Sequence, residues 1–98
     1  MNAGVRNIGD IDRVVHEPGR LMIVALLAAV KQADFLYLQH ETALNKGTLS
    51  SHLSRLEEAG YVSIEKTFHG KIPCTLLQLT AAGRTAFEKY RRDLKRVL

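Results

Sequence analysis

The sequence predicts a mainly α-helical domain with one small β-hairpin, and three patterns support this prediction. Apolar residues fill positions 21–30, which is typical of a helix buried on all sides. Leucines recur at i, i+4 and i+7 between residues 49 and 56, which is typical of a helix with one inward stripe. Apolar and polar residues then alternate over residues 61–68, as in a strand with one buried face. Helices followed by a hairpin and a further helix form a winged helix-turn-helix.

Length and composition indicate one compact domain. The chain has 98 residues, of which 46% are hydrophobic, and it contains no tryptophan, so we expect a largely aliphatic core. The formal net charge is +4, and the segment 84–98, with six basic and two acidic residues, accounts for all of it. A basic balance favours anionic partners without indicating a fold.

The sequence favours a cytoplasmic protein. The single cysteine, Cys74, cannot form an internal disulfide, which fits a reducing compartment. The N-terminus lacks the basic patch and apolar run of a signal peptide. The apolar run at 21–30 is also shorter than the roughly 20 residues that span a bilayer, so we expect no membrane partner.

The first half of the chain contains a long helix followed by shorter elements. We expect residues 1–9 to be a flexible start and residues 10–98 to form the domain. Pro18 is well placed in the first turn of the long helix. The expected elements are a short helical turn at 10–16, a helix at 19–32, a very short strand at 35–37, a helix at 38–44 and a turn at 45–47.

The second half has clear capping signals. Asn45 and Thr80 are residue types that cap helix N-termini, and Gly60 is typical of a helix C-terminus. Pro73 lacks an N–H group, so we expect the returning strand to pair fully only after it. The expected elements are a third helix at 45–58, strands at 61–68 and 74–79 around a turn at 69–71, and a helix at 80–98.

The third helix carries the predicted DNA-binding surface. Opposite its leucine stripe it presents short hydroxylated or basic side chains, which suit close approach to phosphates and base edges. Serine and threonine are poor helix formers, which favours a binding face over a merely solvated one. Asn45 at the N-terminus and His52 on a flank complete the predicted contacts. The outward residues are Lys46, Thr48, Ser50, Ser51, Ser54 and Arg55, and the turn of the hairpin adds His69 and Lys71.

Two segments resemble a known family. Leu-Glu-Glu-Ala-Gly-Tyr-Val at 56–62 closes the third helix, and Leu-Thr-Ala-Ala-Gly-Arg-Thr-Ala-Phe at 79–87 opens the last one. Together with Arg20-Leu21 and Phe35, they resemble regulators related to the multiple-antibiotic-resistance regulator (MarR) family, particularly its compact members, over about residues 18–92. This resemblance implies a dimeric, sequence-specific DNA-binding regulator of transcription. Its third helix would read the major groove and its wing would touch the backbone.

The last helix, 80–98, is predicted to mediate dimerisation. Its apolar stripe continues to the end of the chain, where a small domain cannot cover it, and a second copy is the simplest partner. The alternative is a frayed tail with scattered exposed side chains, and we interpret the basic residues of this helix as a solvated face. The predicted dimer residues are Phe87, Tyr90, Leu94, Val97 and Leu98.

Other functions have weaker support in the sequence. The rival hypothesis is a winged helix that binds protein, which is compatible with the balance of charge on the third helix. The four histidines are far apart, so we expect no metal site, and no catalytic or cofactor-binding pattern is present. Cys74 is expected to be a packed residue, with a redox role as the minority interpretation. A small-molecule effector would have to use the dimer interface, because the chain is short.

Overall fold

The computed structural model describes residues 8–98 and confirms the winged helix-turn-helix. Residues 1–7 of the predicted flexible start lie outside this range, and a 3₁₀ turn follows at Ile8–Asp10. The helices are α1 (Pro18–Ala28), α2 (Phe35–Thr42), α3 (Lys46–Glu58) and α4 (Ala81–Val97). The strands are β1 (Ala33–Asp34), β2 (Val62–His69) and β3 (Ile72–Leu79).

The three strands form an antiparallel sheet in the order β1-β3-β2. Strands β2 and β3 pair along their whole length, from Val62 opposite Leu79 to His69 opposite Ile72. A two-residue turn joins them, and Gly70 occupies its first position with φ 65°, a conformation that glycine adopts without strain. Because β1 pairs only with Leu76 and Leu77, the outer part of the hairpin is two-stranded.

The returning strand starts earlier than predicted, at Ile72 and not at Cys74. Pro73 lies opposite Phe68, one pair inward from the turn, where antiparallel partners exchange no hydrogen bonds. Its missing N–H therefore faces away from β2, on a side that β1 does not reach. Proline is accommodated because this part of β3 has only one neighbouring strand.

The core forms where α1, α2 and α3 meet the inner face of the sheet. Ile23, Val24, Leu27 and Leu38 are at most 1% exposed, and Leu77 brings β3 into the same cluster. The three leucines of α3 also lie in this cluster, as their spacing predicts: Leu49, Leu53 and Leu56. Burying a leucine side chain contributes about 1.5–3 kcal/mol, so this stripe fixes which face of α3 is turned towards the core.

Polar caps begin the helices around the turn between α2 and α3. Asp34 accepts a hydrogen bond from the backbone of Tyr37 at 2.7 Å, and Asn45 accepts one from Thr48 at 2.8 Å. Ala43 ends α2 in the left-handed region with φ 59°, which reverses the chain so that α3 starts three residues later. The cap by Asp34 also explains why Phe35 opens a helix, whereas the sequence analysis wrongly placed a strand at 35–37.

Helix α1 ends at Ala28, four residues before the predicted end. Immediately after it, the backbone N–H groups of Ala29 and Val30 donate to the carbonyl oxygens of Leu26 and Leu27, each three residues back, which gives a tighter final turn. Ala33 then pairs with Leu77 in the sheet, so residues 29–32 serve as the connection. Of these four residues only Val30 packs against the core, whereas Ala29, Lys31 and Gln32 are exposed.

A second, smaller cluster joins the N-terminal segment to α4. Ile11 and Val15 pack against Tyr90, and each of the three is at most 4% exposed. The Tyr90 hydroxyl lies 2.8 Å from His16 Nδ1. The predicted helical turn at 10–16 is a single turn, in which Asp12 accepts hydrogen bonds from the backbone of Val14 and Val15. Its other carboxylate oxygen accepts a 2.5 Å hydrogen bond from the Tyr61 hydroxyl.

We expect Gly83→Ala to lower the free energy of unfolding by about 1–3 kcal/mol, the usual cost of forcing atoms into a packed interior. A Cβ atom at Gly83 would lie 2.1 Å from the Tyr61 carbonyl oxygen, so the start of α4 would have to move away from the backbone of Tyr61. Urea denaturation measures the difference. The matched control is Gly47→Ala in α3, where the nearest atom to the new methyl is 3.6 Å away. This control should be neutral or stabilise by up to about 1 kcal/mol, and equal losses would contradict the assignment.

Tyr61 should make stability depend on pH in the alkaline range. Its hydrogen bond to Asp12, together with burial, raises the pKa of Tyr61 to about 12. The fold favours the neutral phenol, so this stabilisation is present below about pH 10 and is lost as pH rises through about 12. Tyr61→Phe should reduce the loss of unfolding free energy over this range, measured by urea titration at each pH. Some loss should remain because burial also raises the pKa of Tyr90, whereas an unchanged profile would refute the role of Tyr61.

Candidate nucleic-acid interface

The outward face of α3 contains most of the predicted contact residues. With its leucines in the core, α3 exposes the following side chains to solvent: Lys46, Ser50, Ser51, Ser54 and Arg55. Thr48 is half-buried on the flank, and Asn45 is exposed at the N-terminus, where its side chain oxygen serves as the cap. The sequence analysis did not select Gly47, which is exposed in the first turn. Without a side chain there, another molecule can approach the helix backbone closely.

A groove of about 900 Å³ lies between α3, the start of α2 and the hairpin. Lys46, Ser50 and Ser54 border it on the α3 side, and Lys66 and His69 border it on the hairpin side. Lys66 is not among the predicted contacts, because no local pattern shows that β2 faces α3 at this point. Most of the lining is apolar, including Phe35, Leu36 and Ile64. The two lysines and the serine hydroxyls are the part of this lining that suits contact with phosphates.

The tip of the hairpin adjoins this groove, which His69 and Ile72 help to line. His69 and Lys71 are exposed at or beside the turn, as predicted. Phe68 and Ile72, which the sequence analysis did not select, are 67% and 69% exposed beside them. The tip thus presents apolar and cationic side chains together.

His52 differs from the other predicted contact residues, because it faces α1. Its side chain is only 16% exposed, and its Nε2 lies 3.6 Å from the Glu17 carboxylate. Its Nδ1 lies 3.4 Å from a guanidinium nitrogen of Arg20. Burial opposes the charge of Glu17, but the hydrogen bond from the Arg20 backbone and the nearby His52 and Arg20 outweigh it. The pKa of the Glu17 carboxyl is consequently lowered.

The predicted dimer residues fall into two groups. Tyr90 is 2% exposed within its own chain, and Phe87 is half-buried against both core clusters. Leu94 and Val97 are half-buried against the second cluster, whereas Leu98 is 93% exposed. Only the end of the stripe is therefore available to a partner.

Residues 8–98 contain no group of three or more histidine, cysteine, aspartate or glutamate side chains arranged to hold a metal ion. Within the same range, no helix combines the length and apolar character needed to cross a bilayer. Cys74 is half-buried in β3 and lines the groove.

Comparison with known proteins agrees with this geometry. Residues 20–98 match the family described as a winged helix DNA-binding domain. The chain belongs to this family. An uncharacterised protein of Methanocaldococcus jannaschii is 38% identical over 79 residues, which cover 80% of this chain and 85% of the relative.

Solved structures share this winged-helix fold. A transcriptional regulator homologue from Pyrococcus horikoshii OT3 has a TM-score of 0.86 and 28% identity, covering 96% of this chain and 92% of the homologue. NadR, solved with 4-hydroxyphenylacetate, has a TM-score of 0.71 and 26% identity, covering 85% of this chain but 58% of NadR. A MarR-family regulator from Silicibacter pomeroyi shares the fold at 19% identity, with a TM-score of 0.68 and coverage of 97% and 62%. The resemblance to winged-helix regulators is therefore confirmed, and the likeness to the MarR-family member is one of fold.

Proposed function

We propose that this winged-helix protein is a transcriptional regulator that binds double-stranded DNA in a sequence-specific manner as a homodimer. In this proposal α3 enters the major groove and the hairpin lies along the backbone. The observation that carries it is the exposed, hydroxyl-rich face of α3 beside a groove with lysines from two elements. Membership of the winged helix DNA-binding domain family supports it.

The outward face of α3 suits the major groove because its side chains are short. Ser50, Ser51 and Ser54 leave room for the helix to approach base edges, and their hydroxyls both donate and accept hydrogen bonds. Arg55 is the longer donor on the same exposed face. The N-terminal half of a recognition helix makes most base contacts, and here that half includes the exposed Gly47.

The groove beside α3 suits one DNA strand. Lys46 on one wall and Lys66 with His69 on the other would contact successive phosphates. Lys71 at the tip would extend this contact along the backbone. Because α3 itself has two basic residues and two acidic ones, Glu57 and Glu58, the two lysines of the hairpin would supply positive charge to the interface, partly offset by Glu65.

A second copy of the chain is the proposed partner of the α4 end. Tyr90, buried against Ile11 and Val15, anchors α4 on its own domain, so the following turns present Leu94, Val97 and Leu98 from a fixed base. Two-fold pairing through this end would present two copies of α3, which can contact DNA about one helical turn, roughly 34 Å, apart. Dimerisation would double a contact surface of modest charge.

Salt titration tests the proposal against a protein-binding module. The protein should bind random-sequence duplex DNA at low salt, and its affinity should fall steeply as salt rises, because phosphate contacts release counterions. Selection from a random duplex pool should then yield a preferred site. Absence of binding at low salt would refute the proposed function and favour the protein-binding alternative.

Ser51→Glu should weaken binding to the selected site by about 5- to 160-fold, corresponding to roughly 1–3 kcal/mol, because it places a carboxylate against DNA. Arg55→Glu should act in the same direction. The matched control is Thr85→Glu, an equal change of charge at an exposed position of α4. Fluorescence anisotropy measures the affinities, and circular dichroism checks the fold. An affinity for Ser51→Glu equal to that of the control would disprove the assigned face.

Leu98→Asp should convert the dimer to a monomer without destabilising the domain, since this side chain is 93% exposed. Leu94→Asp with Val97→Asp should also give monomers, but these residues additionally pack on their own chain. Sedimentation equilibrium measures the mass, and Thr85→Asp is the control on the same helix. Dimers of unchanged stability in Leu98→Asp would exclude the end of α4 as the interface.

A further inference from the structure

The side chain of His52 contacts α1, although the residue lies in the middle of α3, the proposed recognition helix. Its neighbours Ser51 and Leu53 point outward and inward respectively, while its ring occupies the flank between them. On this flank its partners Glu17 and Arg20 both belong to the N-terminus of α1. The ring thus forms a polar contact between the flank of α3 and the N-terminus of α1.

Both ring nitrogens are used in this contact. A guanidinium can only donate hydrogen bonds, so Arg20 requires that Nδ1 of His52 be an unprotonated acceptor at 3.4 Å. In the tautomer that accepts from Arg20, Nε2 carries the proton and faces the Glu17 carboxylate at 3.6 Å. A single tautomer therefore satisfies one hydrogen bond and one electrostatic contact at the same time.

The two partners of His52 are themselves held in place. Glu17 caps α1 by accepting a 2.7 Å hydrogen bond from the backbone of Arg20. Arg20 donates from Nε to the carbonyl of Val14 at 2.6 Å. Neither partner can follow a displaced His52 without losing one of these shorter bonds. The position of the ring is consequently determined by α1.

Gly19 leaves no spare room around the ring. A Cβ atom at this buried position would lie 2.7 Å from Nε2 and 2.9 Å from Cδ2 of His52. It would also lie 3.2 Å from the Glu17 carboxylate. The imidazole therefore packs directly on the first turn of α1, where only glycine allows this approach.

We infer that His52 is a positioning residue, through which Glu17, Gly19 and Arg20 set the rotation of α3 for reading a DNA sequence. This inference rests on the proposed function and reassigns His52 from the predicted contacts. The leucine stripe permits small rolls of α3 about its axis, and the ring on the flank opposes them. Glu17, Gly19 and Arg20 would then affect specificity without touching a base.

The sign of the effect of Glu17→Gln tests this inference. If Glu17 were only a negative charge near DNA, its removal would tighten binding to all duplexes. If it positions His52, the ratio of affinities for the selected site and for random duplex should fall, by about 2- to 30-fold. Glu41→Gln is the matched control, because it removes the same charge from an exposed position of α2. This control should leave the ratio unchanged.

Gly19 and His52 should show coupled effects. Gly19→Ala should reduce the affinity ratio in the wild-type background, but should add little in the background of His52→Ala, where the ring that it displaces is absent. His52→Gln, whose amide can both accept from Arg20 and donate towards Glu17, should restore part of the ratio lost in His52→Ala. Additive effects without rescue by glutamine would overturn the inference.

Amide NMR spectra of the DNA-free protein separate this inference from the proposed function. Glu17→Gln should shift the amide resonances of residues 50–55 while the hairpin resonances remain unchanged. If the wild type binds no duplex, the proposed function fails, and these shifts still report whether α1 holds α3. Unchanged resonances in α3, together with tighter binding to all duplexes, would overturn the positioning role. If Gly19→Ala does not fold, Glu17→Gln still allows the test. The Glu17 side chain is 32% exposed, so its replacement should disturb the packing of α1 less than a new methyl group at Gly19.

Discussion

Burial of the leucine stripe of α3 is the constraint on which the rest of the site depends. Leu49, Leu53 and Leu56 enter a core built by α1, α2 and β3, and no rotation of α3 by a large angle preserves their burial. Because side chains of a helix have fixed angular positions, the same stripe determines which residues face outward. Apolar packing in the core thus determines which polar side chains α3 presents at the surface.

Smaller contacts refine the orientation that the leucines impose. Just after α3, the carbonyl oxygens of Gly60 and Tyr61 accept hydrogen bonds from Thr80, the residue before α4. Gly83 in the first turn of α4 also lies close to the Tyr61 carbonyl. On its flank, His52 meets the N-terminus of α1. The core therefore stabilises α3 strongly but leaves small changes in its orientation possible. The close-packed and polar contacts at its end and flank restrict that orientation.

Charge is distributed unevenly between the elements proposed to bind DNA and the helix proposed to form the dimer. The net charge of α4 equals that of the whole chain, whereas α3 is balanced, and the groove gains its second lysine, Lys66, from β2. Recognition by α3 would consequently depend on hydroxyl groups and shape, while the hairpin contributes electrostatic attraction. Pairing through the end of α4 would compensate for this modest charge by doubling the contacts.

The sequence by itself determined the order of the elements, the inward stripe of α3 and most of its exposed residues, because periodicity and capping are local properties. It misplaced the end of α1 and the short strand, since pairing of Ala33 with Leu77 depends on residues 44 positions apart. Likewise, only the tertiary structure brought Lys66 to the groove, turned His52 towards Glu17 and buried Tyr90 within its own chain. Each of these outcomes is set by contacts between distant segments, which no local pattern contains.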